Sequence, residues 1–169
     1  YVGELGWELY VPTEFASGIY DTLMDGANGK LVPVGMHAVN SLRIEKGYKH
    51  WGHDITDEDT PLEAGLGFAI AWDKQGGFNG RDALIKRRER VVNRVFLQFL
   101  LEDPFAMLYH NEPIYRDGEI VGYLTSGAYG HSLGGSVGLG YVDCIEGISS
   151  ALEQARQYQI EVAGEKIAA

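Results

Sequence analysis

Turn residues cut the second half of the sequence into short runs of strand-forming residues. That punctuation constrains the fold more than any other feature. The runs fall at 94–101, 113–115, 120–125, 136–142 and 158–162. Between the second and third stands Arg116-Asp117-Gly118-Glu119, where Asp-Gly supplies the positive-φ residues of a tight hairpin. The last run leads into Ala163-Gly164 and the start of another strand. Short strands spaced this way build a small antiparallel β-barrel or sandwich.

Ahead of residue 91 the pattern is mixed. Residues 6–11 alternate, with Trp7, Leu9 and Val11 on one face and Glu8 and Tyr10 on the other, as in a strand. Pro12-Thr13 ends it. Phe15, Ile19, Leu23 and Met24 then form one helical stripe running to about Gly26. Met36, Val39, Leu42, Ile44 and Glu45 define a second helix, stopped by Gly47. Thr60-Pro61 opens a short helix, residues 68–72 read as a strand, and Ala83, Leu84 and Ile85 lie on a third helix. The expected organisation is α+β over 1–88, followed by a small antiparallel β-barrel over 92–169.

Composition narrows the function. Hydrophobic residues make up 45% and charged residues 22%, which excludes a disordered chain. No apolar run approaches the roughly 20 residues of a membrane helix, so no membrane partner is expected. With 24 acidic against 14 basic residues the net charge is −10, a poor match for nucleic acid. The basic run Lys86-Arg87-Arg88-Glu89-Arg90 reads as a solvated helix end. The single cysteine, Cys144, forms no internal disulfide and suits a reducing compartment.

Several tempting motifs fail on context. Gly135-Ser136-Val137-Gly138-Leu139-Gly140 lacks the strand–helix setting of a phosphate cradle, and Gly26-Ala27-Asn28-Gly29-Lys30 lacks the Walker spacing. Barrel corners, turns and helix ends account for these glycines. His50-Trp51-Gly52-His53-Asp54 offers too few ligands for structural zinc, so no metal is expected. Ser126 or Ser132 with His131 makes a triad only on paper, because no nucleophile elbow is present.

The amino end is more pointed. Tyr1, Glu8 and Tyr10 lie beside the glycine-rich approach Gly3-Glu4-Leu5-Gly6. Such a face suits a flat heteroaromatic ring: aromatic side chains stack on it, and a carboxylate accepts two N–H donors from its edge. A half-buried strand with an ion-paired Glu is the plainer alternative.

Those residues carry a resemblance. Tyr1-Val2-Gly3-Glu4-Leu5-Gly6-Trp7-Glu8-Leu9-Tyr10 resembles the Y-x-G-E-x-G-[FW]-E segment of the glycine-cleavage T-protein (aminomethyltransferase) family. The likeness is nearest to the C-terminal folate-binding part of dimethylglycine and sarcosine dehydrogenases. Residues 38–47, residues 51–54 with 60–66, and residues 125–129 with 138–142 resemble further family segments in the same order.

The resemblance implies tetrahydrofolate as cofactor and transfer of a one-carbon unit from an N-methyl amine to give 5,10-methylenetetrahydrofolate. Glu8 falls on the family's pterin-binding glutamate, and Tyr1 on its tyrosine. Leu9 and Tyr10 fall on adjoining contacts, and Phe68 on an aromatic position of the folate pocket. Val39 stands where the transferase branch carries an arginine, which leaves the acidic tail of folate without that partner. Arg43 is expected to pair with Glu45 or a neighbour, and Asp54, Asp57 and Asp59 to be solvated loop carboxylates. The family's catalytic Asp lies upstream of Tyr1, so no residue here is assigned a catalytic role.

Both ends look cut, and the expectation is a fragment whose partners include an N-terminal part of the same protein, with FAD possible in an upstream domain. Such a fragment alone would be inactive. Alternatives are a plain glycine-cleavage aminomethyltransferase and a non-catalytic folate-binding module. The expected location is the cytoplasm, or the mitochondrial matrix in a eukaryote.

Overall fold

The structure, a computed structural model, describes residues 1–144 and 158–169. A 3-10 turn at Thr13–Phe15 leads into α1 (Ala16–Gly26), followed by α2 (Met36–Glu45) and α3 (Arg81–Arg88). Among the described residues six strands follow: β1 (Arg94–Leu100), β2 (Pro113–Arg116), β3 (Glu119–Gly130), β4 (Gly135–Asp143), β5 (Tyr158–Val162) and β6 (Glu165–Ala168).

The strands form one antiparallel sheet in the order β1-β4-β3-β2-β5-β6. Its two ends meet: Glu102, just past β1, donates its N–H to the carbonyl of Ala168 in β6 at 2.9 Å. Curling the sheet in this way protects its exposed edges. The hairpin read from Asp117-Gly118 is present, with φ of 54° and 85° at its two central residues. Ala163-Gly164 turns the chain from β5 to β6 in the same manner, at 52° and 88°.

Side-chain alternation divides the apolar residues between two cores. Val95, Phe99, Leu108, Ile114, Leu124, Val142, Tyr158 and Ile160 fill the barrel. The ring of Phe99 meets that of Tyr158 edge-on, with centroids 5.4 Å apart. Phe96, Val137 and Leu139 take the opposite faces of β1 and β4 and pack with Ile44 of α2 in a second core.

β4 is therefore buried on both faces. This explains its glycine pattern, for which no phosphate need be invoked. Val137 and Leu139 face α2, while Ser136, Gly138 and Gly140 alternate with them. A Cβ at Gly140 would lie 2.9 Å from the Leu124 Cα and 3.1 Å from the Tyr123 carbonyl carbon, both backbone atoms. Gly140→Ala is expected to destabilise the fold by about 1–3 kcal/mol through overpacking. Urea unfolding checks this, and a change below about 0.5 kcal/mol would contradict it.

The first part of the chain departs from expectation in places. Residues 6–11 form no strand and pair with none of the described strands. The shared face of the alternation survives nonetheless: Tyr10 donates its hydroxyl to Glu8 Oε2 at 2.8 Å. The strand expected at 68–72 is instead a 3-10 turn at Gly67–Ala69, closed by Ala69 N–H to Leu66 O and Ile70 N–H to Gly67 O. With no partner strand alongside, the backbone satisfies its polar groups locally.

The Thr60-Pro61 start gives one turn rather than a helix. It carries a capping box: Glu63 N–H donates to Thr60 Oγ1 at 3.4 Å and Thr60 N–H donates to Glu63 Oε2 at 3.2 Å. α1 forms as its stripe predicts, yet Phe15, Tyr20 and Leu23 remain largely exposed, as do Trp7 and Leu9 before it. No helix among the described residues is long and apolar enough to cross a membrane.

Candidate functional site

α2 is the element on which the site is built. It lies against the barrel and is tied there by Ser41 Oγ–H to the Tyr129 carbonyl at 2.7 Å and by the Gln98 amide to the Ile44 carbonyl at 2.7 Å. Arg43, in its last turn, is buried. Its guanidinium donates to Asp54, to the Tyr48 carbonyl at 3.1 Å and to Ser126 Oγ at 2.8 Å.

Asp54 collects more than the arginine. Its Oδ1 accepts the hydroxyls of Thr125 at 2.5 Å and Ser126 at 2.6 Å, and its Oδ2 accepts the His50 N–H at 2.8 Å. Thr125 and Ser126 are consecutive in β3, so in regular pleating they would point to opposite faces. The ladder with β4 shifts register between Leu124 and Ser126. A bulge re-aims side chains in this way, and here both hydroxyls reach one carboxylate.

Two expectations are corrected here. Arg43 pairs with Asp54 and not with Glu45. Asp54 is not a solvated loop carboxylate but is 2% exposed, and Asp59 is likewise tied down, to Arg94. Burial alone would raise the Asp54 carboxyl. The Ser126 and Thr125 hydroxyls, the His50 N–H and the Arg43 guanidinium outweigh it and hold the group below the ordinary carboxylate range.

This knot anchors the loop that follows α2. Asp54 N–H returns to the His50 carbonyl at 2.8 Å, and Gly52, at φ 81°, donates to the Ile55 carbonyl at 2.8 Å. The tight turn presents Trp51 at the rim of a cavity of about 520 Å³. Glu8 and Tyr1 stand in its wall with Met36, Val39 and Ile55. Tyr1 is fixed by its hydroxyl, which donates to the Lys49 carbonyl at 2.9 Å, and its ring tilts against Tyr48 with centroids 5.2 Å apart. Burial pushes the Tyr1 phenol up. A second cavity of about 380 Å³ shares Tyr1, Lys49 and Ile55 with the first and has Phe68 in its wall.

Of the five residues expected at the site, Tyr1 and Glu8 thus line one cavity, and Phe68 lines its neighbour. Tyr10 touches the site through its hydrogen bond to Glu8. Leu9 lines neither cavity and is 62% exposed. The sequence reading missed Trp51, Met36, Lys49 and the Arg43–Asp54 knot. The signal for the knot was in the sequence: Thr125-Ser126 breaks the apolar alternation of β3, and a buried polar pair needs a partner.

The chemistry on offer is a carboxylate acceptor beside aromatic and apolar walls, with a lysine behind. It suits a planar ring bearing adjacent N–H donors on one edge. Among the described residues no group of three or more His, Cys, Asp or Glu side chains is placed to hold a metal ion.

Comparison with known proteins gives the same direction. Residues 1–74 match the family model described as the GCVT N-terminal domain, and residues 94–169 match the glycine cleavage T-protein C-terminal barrel domain. The chain is 46% identical over 140 residues to a 4-methylaminobutanoate oxidase (formaldehyde-forming) of Paenarthrobacter nicotinovorans, covering 82% of this chain and 17% of that protein. It is 38% identical over 143 residues to human mitochondrial sarcosine dehydrogenase, covering 84% of this chain and 16% of that protein. The crystal structure of the glycine cleavage system aminomethyltransferase T from Bartonella henselae superposes with a TM-score of 0.77 at 26% identity, over 94% of this chain and 42% of that one. The chain therefore spans about one sixth of the first two proteins and 42% of the third.

Proposed function

The chain belongs to the glycine-cleavage T-protein family, and from that premise we propose that it forms part of a tetrahydrofolate site in a one-carbon transfer enzyme. The observation that carries the reading is the meeting of Glu8, Tyr1 and Trp51 in one cavity. In this reading the Glu8 carboxylate accepts N–H donors from the pterin edge. Tyr1 and Trp51 supply faces for the ring, and Phe68 continues the apolar surface next door.

Bound tetrahydrofolate supplies the nucleophilic amines that trap a one-carbon electrophile. This chain's residues bind and orient it, and Met36, Val39 and Ile55 give it apolar walls. The donor is read as an N-methyl amine, with the oxidising flavin and the catalytic Asp outside residues 1–169. Identity of 46% to the 4-methylaminobutanoate oxidase, against 39% to an aminomethyltransferase of Halothermothrix orenii, supports the oxidative branch over the plain transferase. We place a domain boundary between α3, which ends at Arg88, and β1, which starts at Arg94. Cys144 is buried and unpaired. It needs no oxidising compartment, which supports the cytoplasm or a mitochondrial matrix.

Titration of the full-length protein with tetrahydrofolate, following tryptophan fluorescence, tests this. A saturable change that disappears in Trp51→Phe is expected. A Trp51→Phe variant that responds as the parent does would place the ligand elsewhere.

A further inference from the structure

Asp54 divides its two oxygens between two parts of the chain. Oδ1 takes the hydroxyls of Thr125 and Ser126 from β3, while Oδ2 takes the Arg43 guanidinium and the His50 N–H. The carboxylate is a joint, with the barrel on one oxygen and the 50–55 turn on the other.

The direction of its bonds is forced. A guanidinium only donates, so the Ser126 hydroxyl, which accepts an Arg43 N–H at 2.8 Å, gives its own proton to Asp54. Thr125 Oγ1 also lies 3.2 Å from the Leu139 carbonyl, which ties the joint to β4. Ser126 and Asp54 are 3% and 2% exposed, so these bonds are made away from bulk water, where their direction and length are held closely.

The cavity that holds Glu8 lies on the far side of this joint. Its lining falls within residues 1–55, so among the described residues the barrel supplies none of its wall. The barrel nevertheless reaches that wall at one remove. Arg43 and His50 line the cavity and bond Asp54 directly. Trp51 and Ile55 line it too, and they are bridged across the turn that Asp54 pins. The Trp51 indole N–H has no hydrogen bond among the described residues, so the turn sets where the ring stands.

We propose that Thr125 and Ser126 are positioning residues for this cavity: through Asp54 they fix the 50–55 turn, and with it the place of Trp51 against a bound ring. The effect on affinity rests on the folate reading above, whereas the effect on the turn does not.

Thr125→Val combined with Ser126→Ala removes both hydroxyls and keeps the side chains close to their original size. Isothermal titration of the full-length protein, under conditions where parent and variant are both folded, is expected to show tetrahydrofolate binding about tenfold more weakly to this variant. Thr125→Ser, which keeps the hydroxyl, is expected to stay within about twofold of the parent. In a Trp51→Ala background the two hydroxyl deletions are expected to cost less than about twofold, because the group they position is already gone. Equal affinity for the hydroxyl-free variant, a serine variant as weak as the valine one, or an undiminished loss in the Trp51→Ala background overturns the proposal. If the double variant fails to fold, Thr125→Val alone is read in its place, with a loss of about threefold expected and none overturning the proposal.

If the parent itself does not bind tetrahydrofolate, the folate reading fails and amide hydrogen exchange decides the positioning. Faster exchange over residues 50–55 in the hydroxyl-free variant, with β1 unchanged, then upholds it. Unchanged exchange at the turn, or a rise shared equally by β1, overturns it.

Discussion

Asp54→Ala is expected to lower the stability of the chain by about 3–5 kcal/mol, the cost of stranding a buried charge by removing its partner. Arg43 would keep its burial and its bond to the Tyr48 carbonyl but lose the acidic side chain that, among the described residues, is alone in pairing with it. Thr125 and Ser126 would lose their shared acceptor, and the 50–55 turn its inner anchor. Replacing both partners, with Arg43→Met and Asp54→Leu, removes the charge as well as the pairing and is expected to cost less than the single change. Denaturant unfolding of the two variants separates these cases. A loss below about 1 kcal/mol for Asp54→Ala would show that the knot is ornamental.

The same group sets an acid limb. The folded carboxyl titrates below its ordinary value, which for Asp is about 3.9, so the unfolded chain binds the proton first as the pH falls. The contribution of Asp54 is therefore fully present above that ordinary value and is lost as pH drops through the depressed folded value. Glu63 adds in the same sense. Burial would raise it, but the Arg87 ion pair and the Thr60 capping bonds hold it down. The Asp54 variant is expected to show a shallower decline in melting temperature below pH 4 than the parent.

The barrel was legible because its signals are local and agree with one another. Turn residues with positive φ stand where the strands reverse, and runs of strand-forming residues lie between them. Two segments misled for a shared reason. Residues 6–11 and 68–72 have strand-like patterns, but a strand exists only with a neighbour to pair with, and pairing is not written in a single segment. β3 was read short, at 120–125, because Gly127 and Gly130 look like turn residues. In the fold a Cβ at Gly127 would lie 2.8 Å from the Leu108 backbone carbonyl carbon, so close packing, not a turn, sets that residue.

The site was legible in part for a comparable reason. Glu8 and Tyr1 sit in one ordered segment, and the residues of that segment were enough to single them out. Arg43 and Asp54 meet side chains of β3, far along the chain. Nothing in the loop 48–60 distinguishes Asp54 from Asp57, which stays exposed. Burial, which separates the two, is a property of the assembled fold.

Glu8 carries the functional reading, and its removal has the second large expected effect. Glutamine keeps the length of the side chain and one acceptor oxygen, but it replaces the other with a donor that faces the donors of the ring edge. One charge-assisted hydrogen bond, about 1.5–3 kcal/mol with water excluded, is lost. That corresponds to about 10- to 100-fold in affinity. Tyr10→Phe, which deletes a hydrogen bond to Glu8 without touching its charge, should have a smaller effect.

The decisive measurement is the dissociation constant of tetrahydrofolate for the full-length protein and for its Glu8→Gln variant, under one set of conditions. A 10- to 100-fold weakening, with the melting temperature unchanged in the absence of ligand, is the result predicted here. Equal affinities for the two proteins would contradict the assignment of Glu8 as the group that holds the ring.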